Sequence, residues 1–424
     1  MLDAWLKRLE TQHPKAMDLG LDRLREVWLA LGAPWPGATV VTVAGTNGKG
    51  SAVATLRALA LAQGLRVGDT TSPHLHRFNE RIQVQGTPAS DAQIVEAFER
   101  IEAARGALTL TYFETAILAA LLIMADAALD LAILEVGLGG RLDAVNIIDA
   151  DLALLTPVDL DHQSWLGSTR EAIGLEKAGV FRAGRPVVIA DPNPPASVLE
   201  RVADLGSPSA CWGVDFGLRY EGARREAFIT GFGQGTVFPL QRPLPVAAPS
   251  FLGALQAWAA LGNPLTSALI DAALAMTPPP GRQQWRALAG QALLFDVAHN
   301  PHAAAFLAER LDAPLDLAVF GSYADKDAEG MVRALAPKVR RWLFVPTPGP
   351  RGQTGEALAA RLAPLCKEVG QPFNVLPSLG AEALQGALAA SRSEGLKRIG
   401  FLGSFSVVSA AEAALLPPAQ GAEG

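Results

Sequence analysis

The sequence predicts an α/β protein: a phosphate-loop domain on a parallel sheet with a small β excursion, then a smaller Rossmann-like α/β domain. Three observations lead there. The β-branched run Thr39-Val40-Val41-Thr42-Val43 enters a glycine-rich segment, 45–51, that opens a helical run to about Ala62. Apolar runs at 131–136, 152–156 and 186–190 alternate with helical segments, the rhythm of a parallel sheet covered on both faces. Beyond Pro278-Pro279-Pro280-Gly281 that rhythm restarts, with strand cores at 292–295, 317–320, 342–345 and 399–402.

In chain order, residues 1–30 read as an amphipathic helix, a turn at His13-Pro14 and a second helix from Asp18. Ala33-Pro34-Trp35-Pro36-Gly37 then breaks the chain ahead of the first strand. Residues 206–248 carry Gly, Pro and short alternating runs such as 227–230, which is the β excursion. Helices follow near 250–262 and 264–276. The proline cluster puts the domain boundary near 280, giving domains 1–280 and 281–424, and the tail after Leu416 reads as frayed.

Composition narrows the class. Of 424 residues, 50% are hydrophobic and 18% charged, ample for a core. The net charge of −6, without a basic run, argues against nucleic acid as a partner. Mean hydropathy of +0.22 hints at a membrane. The longest apolar stretch, 116–125, nevertheless stops at Asp126, and a span needs about 20 residues. The start, MLDAWLKRLE, has charges where a signal peptide has its apolar stretch. Cys211 and Cys366 are far apart in sequence and form no metal-type pair. A reduced, cytoplasmic enzyme without membrane partners is the expectation.

The segment Gly45-Thr46-Asn47-Gly48-Lys49-Gly50-Ser51 is an anion cradle. Glycines turn backbone N–H groups inward, the helix N-terminus adds positive potential, and Lys49 adds a full charge. It departs from G-x-x-x-x-G-K-[ST]: Val43 stands at the first glycine position and Gly50 intervenes before Ser51. ATP phosphates suit it better than a surface turn does, but the loop alone does not say which ATP enzyme this is.

Other segments do. GTNGKGS at 45–51 resembles the loop of the Mur ligase superfamily. With HPKAMDLGLDR at 13–23, TSPHL at 71–75, TYFE at 111–114, EVGLGGRLDA at 135–144, LDHQSWLG at 160–167, EKAG at 176–179, PGR at 280–282 and DVAHNPHA at 296–303, the chain resembles the bacterial dihydrofolate synthase/folylpolyglutamate synthase family. That resemblance implies a Mur-type ATP-binding domain followed by a ligase domain. It implies ATP-dependent joining of L-glutamate to dihydropteroate and to tetrahydrofolate glutamyl chains, through an acyl phosphate, by a monomer. Mg²⁺ is the implied ion, with K⁺ as a further cation.

The implied site residues make chemical sense. Thr46, Asn47, Gly48, Lys49, Gly50 and Ser51 would hold ATP phosphates, with Arg282 and Asp296 contributing from the second domain, so that ATP would lie between the two. Ser72, Glu135 and His162 correspond to the family's metal ligands; Glu135 ends the apolar strand LAILEV, where a charge is costly unless it meets a cation. Imidazole is not a typical Mg²⁺ ligand, so His162 rests on the resemblance alone. Lys177 corresponds to a lysine carbamylated in relatives, which requires a neutral amine. Lys49, Lys177 and His299, beside Asn300, are the implied catalytic residues. Dihydropteroate would meet Asp18 and Leu19, Thr111, Tyr112, Phe113 and Glu114, and Leu142, Asp143 and Ala144. There an aromatic wall and carboxylate acceptors suit a planar, N–H-rich ring.

Three departures stand out. Val145 follows LDA where the family usually has Thr, Ser250-Phe251 stands where it commonly has Asn-Ala, and Val297 stands where many relatives have Gly. Three other readings compete. A cell-wall Mur ligase would place a UDP-binding domain before the loop, where this sequence has 44 residues. Against a monofunctional synthase or chain extender, the DLGLDR and TYFE segments argue for dihydropteroate binding and hence for the bifunctional type. A non-catalytic ATP-binding module would not need Ser72, Glu135, His162 and Lys177 together.

Overall fold

The computed structural model describes residues 1–15, 17–221 and 224–416; the tail expected to fray lies outside them. The chain divides into two units, Met1–Pro278 and Pro279–Gly424.

The first unit is built on eight strands: β1 (Thr39–Ala44), β2 (Val67–Thr70), β3 (Ile82–Val84), β4 (Thr87–Pro88), β5 (Leu131–Glu135), β6 (Leu152–Leu155), β7 (Val187–Ile189) and β8 (Ser209–Cys211). Their order is β4-β3-β2-β5-β1-β6-β7-β8. The sheet is parallel from β2 to β8, while β3 and β4 pair antiparallel at one edge. The expected parallel sheet is thus extended at one edge by an antiparallel pair. The cause is local: Gln85-Gly86, both with positive φ, reverse the chain between β3 and β4, which no helix separates.

Successive residues of β1 face opposite sides, and each side is covered by helices. Val41 and Val43 pack toward the helices Lys49–Ala62 and Ala248–Ala260, within one buried cluster that includes Phe251 and Trp258. Val40 and Ala44 belong to the cluster on the other side, built with helices Asp91–Ala104 and Tyr112–Asp126. Burial of each large apolar side chain contributes roughly 1.5–3 kcal/mol. The apolar run 116–125 is therefore a core helix, and no helix among the described residues is long and apolar enough to cross a membrane.

The β excursion is the antiparallel sheet of β9 (Phe216–Glu221), β10 (Arg224–Ile229) and β11 (Thr236–Pro239). Residues 209–211, read as part of it, instead form the edge strand β8 of the main sheet. The second helix begins at Asp22, not Asp18. Asp18 is drawn out of helical geometry by Arg23, which bonds both its carboxylate, at 2.8 Å, and its carbonyl.

The second unit holds a six-stranded sheet of β12 (Gln284–Leu288), β13 (Gln291–Asp296), β14 (Leu317–Phe320), β15 (Trp342–Phe344), β16 (Phe373–Val375) and β17 (Arg398–Leu402). The order is β12-β13-β17-β14-β15-β16, parallel except for the β12–β13 hairpin. Phe320, Trp342 and Phe344 fill its core in edge-on and stacked ring contacts.

Candidate active site

Register sets the first unit's site. Val43 is level with Glu135, Leu134 with Thr70, and Ala44 with Leu155. The segments leaving β1, β2, β5 and β6 therefore emerge at one carboxyl edge, where open α/β sheets bind ligands.

The loop after β1 is held from behind. The N–H groups of Thr46 and Asn47 donate to the Pro157 carbonyl at 2.9 and 3.3 Å, and Thr46 Oγ1 donates to the Asp159 carbonyl at 3.0 Å. Gly45 has φ 144°, and a Cβ there would lie 1.9 Å from Thr156 Oγ1. Gly48 is the N-cap of helix Lys49–Ala62 at φ 85°, and no side chain caps that helix. Its first turn therefore presents positive potential at the loop. Ser51, expected to open the helix, is its third residue, because the turn closes already at Lys49.

Two lysines converge on one carbonyl. Lys49 Nζ donates to Gly45 O at 3.2 Å and Thr46 O at 3.3 Å, and Lys177 Nζ donates to Gly45 O at 2.9 Å. Lys177 lies inside helix Arg170–Ala178 and is 4% exposed. Burial and then the Lys49 charge pull its pKa down to about 7, against the raising influence of Asp161 and Asp143.

Glu135 is buried at the end of β5. Its Oε2 accepts the Ser72 N–H at 3.2 Å, and a Cβ on Gly50 would lie 3.5 Å from that oxygen. His162 sits after β6 in the left-handed region, φ 49°, a conformation costing a residue with a Cβ roughly 1–2 kcal/mol. Its N–H donates to Asp161 Oδ1 at 2.8 Å. Among the described residues no three His, Cys, Asp or Glu side chains gather as a metal cage. A carboxylate, a serine and a histidine on this edge fit an ion that keeps much of its shell as water or phosphate, as small divalent cations do.

The residues expected to hold dihydropteroate fall into two linked groups. Arg23 bridges Asp18, at 2.8 Å, and Glu114, at 2.8 Å. Glu114 also closes a capping box, accepting the Thr111 N–H at 2.8 Å while Thr111 Oγ1 accepts its own N–H at 3.2 Å. Leu19 is half-buried on the segment leading to Arg23. Tyr112 packs edge-on against Phe78. Phe113 reaches the next group: a Cβ on Gly137 would lie 2.3 Å from its ring. There Asp143 accepts the N–H groups of Leu138 at 2.8 Å and Val145 at 3.1 Å, fixing the loop that carries Leu142 and Ala144. Burial pushes Asp143 up to about 6.

In the second unit, Asp296 ends β13 and accepts the N–H groups of Gln283 at 2.9 Å and Ala298 at 2.8 Å. Burial raises its pKa, against the lowering influence of Arg282. The Arg282 guanidinium lies 5.6 Å from the Phe405 ring. His299 Nδ1 is 3.0 Å from the Val297 carbonyl, and Asn300 caps helix Pro301–Arg310.

Sequence reading missed three neighbours. Arg23 and Arg81 show their importance only through partners distant in sequence. Ser250, noted only as a departure, is 1% exposed with no hydrogen-bond partner for its hydroxyl, which a Cβ on Gly48 would meet at 2.1 Å.

The Mur ligase, glutamate ligase domain family matches residues 281–398. Over 412 residues the chain is 40% identical to the dihydrofolate synthase/folylpolyglutamate synthase of Escherichia coli K12, spanning 96% of this chain and 94% of that one. The chain belongs to the dihydrofolate synthase/folylpolyglutamate synthase family. Solved structures of the family share its fold. Escherichia coli FolC in complex with DHPP and ADP matches with a TM-score of 0.86 at 38% identity over 96% of both chains. A bifunctional folylpolyglutamate synthase/dihydrofolate synthase with Mn, AMPPNP and L-glutamate bound matches with a TM-score of 0.84 at 38% identity over 97% of both.

Proposed function

We propose that this family member joins L-glutamate to dihydropteroate, giving dihydrofolate, and extends folate glutamyl chains, at the expense of ATP. The observation that carries this reading is the convergence, on one sheet edge of a chain of this family, of an uncapped helix N-terminus, two lysines and a buried glutamate. A carboxylate does not react with an amine directly, because oxide would have to leave. Transfer of the γ-phosphoryl group to a carboxylate oxygen releases ADP and gives an acyl phosphate. The glutamate amine then attacks the carbonyl carbon, loses a proton, and phosphate departs.

The chain's own groups serve these steps. Residues 46–51 cradle the phosphates, and Lys49 swings from the Gly45 and Thr46 carbonyls to the transferring group, neutralising its charge. Arg282 and Asp296 add contacts to ATP, and His299 assists from the segment after β13. Ser72, Glu135 and His162 hold a divalent cation, in the cell Mg²⁺, with K⁺ as a second ion. When bound, the divalent ion draws charge from the phosphate oxygens. Lys177, neutral above about pH 7, accepts CO₂ to become a carbamate, turning a buried cation into an anion beside Lys49. Asp18, Leu19, the 111–114 segment and the 142–144 loop form the pterin wall, with Glu114 shaping it through Thr111 and Arg23. Cytoplasmic action accords with two free cysteines.

The test is phosphate release from ATP. Release should require both L-glutamate and either dihydropteroate or tetrahydrofolate; release without an acid substrate, or none with any, would refute the reading. Response to only one of the two acids would reduce it to a monofunctional enzyme.

A further inference from the structure

Several partly buried arginines of the first unit are paired with carboxylates. Arg57 binds both oxygens of Asp69, and Arg23 bridges Asp18 and Glu114. Arg81 is held differently. It ends the turn Phe78–Arg81, and its Nε donates to His74 Nδ1 at 2.8 Å. A ring nitrogen that accepts carries no proton, so His74 is neutral. The adjacent Glu80 turns away, its oxygens taking the N–H groups of Leu75, His76 and Arg77 at 2.7, 2.9 and 2.7 Å. No ion pair or Nη hydrogen bond to Arg81 is formed by the described residues.

The guanidinium is flanked by aromatic faces, 5.8 Å from the Phe78 ring and 5.6 Å from the Tyr112 ring. Tyr112, Glu135 and, without direct contact, Glu80 all feel its charge. It therefore stands between the proposed pterin wall and the edge where phosphoryl transfer is proposed. A desolvated guanidinium whose fork makes no direct ion pair is costly, and its planar fork matches a carboxylate.

We propose that the two Nη groups of Arg81 receive the carboxylate of the pteroyl substrate, the group that becomes the acyl phosphate. This rests on the ligase reading above. An aromatic acid is preferred to L-glutamate because its ring lies against Phe78 and Tyr112 while its carboxylate reaches the fork; an aliphatic amino acid uses neither face. The neutral His74 aims the fork without competing for the anion.

The experiment compares dihydropteroate with its analogue lacking the carboxylate, by calorimetric titration of the full chain without ATP. The wild type should bind the acid about 10- to 100-fold more tightly than the analogue, the range of a charge-assisted hydrogen-bonded pair. Arg81→Gln should bind both with the analogue's affinity, leaving the analogue's own Kd unchanged, which also shows that the variant is folded. Arg81→Lys should keep part of the preference. Equal weakening of both ligands, or a retained preference, would overturn the proposal, as would a raised KM for L-glutamate with acid preference intact. A wild type that ligates but binds acid and analogue equally refutes this proposal alone; one that neither ligates nor binds either compound refutes the ligase reading.

Discussion

Two regions of the first unit handle charge in opposite ways. Around Asp18, Arg23 and Glu114 the charges are matched within the protein: one guanidinium bridges two carboxylates, and Lys15 adds a bond to Asp18 at 3.2 Å. At the phosphate loop two lysines meet at one carbonyl below an uncapped helix, and burial, then the Lys49 charge, depresses the pKa of Lys177. The first region is finished without a ligand and can act as a rigid wall. The second sets two cations close together at one carbonyl, a state that an incoming polyanion relieves. The placing of like charges, rather than the number of charged residues, separates scaffold from reaction site.

The largest expected effect breaks the lysine side. Lys49→Ala should lower kcat for ATP-dependent ligation by about 100- to 1,000-fold, the scale of losing one charge-stabilising donor at a transition state. It should leave the thermal melting curve in place or shifted upward, because it removes a like charge facing Lys177. Near wild-type turnover would show that Lys49 is not part of the phosphate site. The second effect breaks the balanced side. Glu114→Gln keeps the shape but removes the anion from Arg23, and should cost about 1–3 kcal/mol of stability in denaturant unfolding. The KM for ATP should stay unchanged. A variant of unchanged stability with a greatly raised KM for dihydropteroate would make Glu114 a ligand contact rather than a wall element.

The same distinction explains what was legible beforehand. The strand β1, its loop and the following helix are visible because β-branched continuity, glycine and lysine occur within 24 residues of each other, 39–62. Glu135 is visible as a charge ending an apolar strand, and Lys177 through its motif. The strand β2, Val67–Thr70, is hidden because Gly68 and Asp69 interrupt any apolar pattern; Asp69 is tolerated in the core only through Arg57, on another element. Arg81 and Ser250 are hidden for the same reason. An arginine in sequence is a surface residue by default, and only His74, Phe78 and Tyr112 brought together make it a partly buried cation. A serine hydroxyl without a partner is a property of packing against Gly48, 202 positions away. Residues whose role depends on spacing along the chain can be read from it; residues whose role depends on which partner is missing cannot.

The smallest expected effect sharpens the comparison by titrating the lysine side. Lys177 has a pKa lowered to about 7, so its amine is mostly neutral at pH 8 and mostly protonated at pH 6. Only the neutral amine adds CO₂, forming an N–C bond and releasing one proton, and the product anion then faces Lys49 instead of a second cation facing it. Carbamate should therefore be present at pH 8 and fall about tenfold in proportion per unit below 7 as the amine is protonated. With ¹³C-bicarbonate, a carbamate resonance should appear in the wild type at pH 8, fade toward pH 6, and be missing in Lys177→Arg, whose guanidinium stays charged. The ligation rate at saturating substrates should follow the resonance, about tenfold from pH 8 to 6, and CO₂-depleted buffer should lower it at pH 8 without changing the melting temperature by more than a few degrees. A wild type lacking the resonance at every pH, yet fully active, would show that Lys177 works as an amine, and that the crowded pair at Gly45 is balanced by the nucleotide alone.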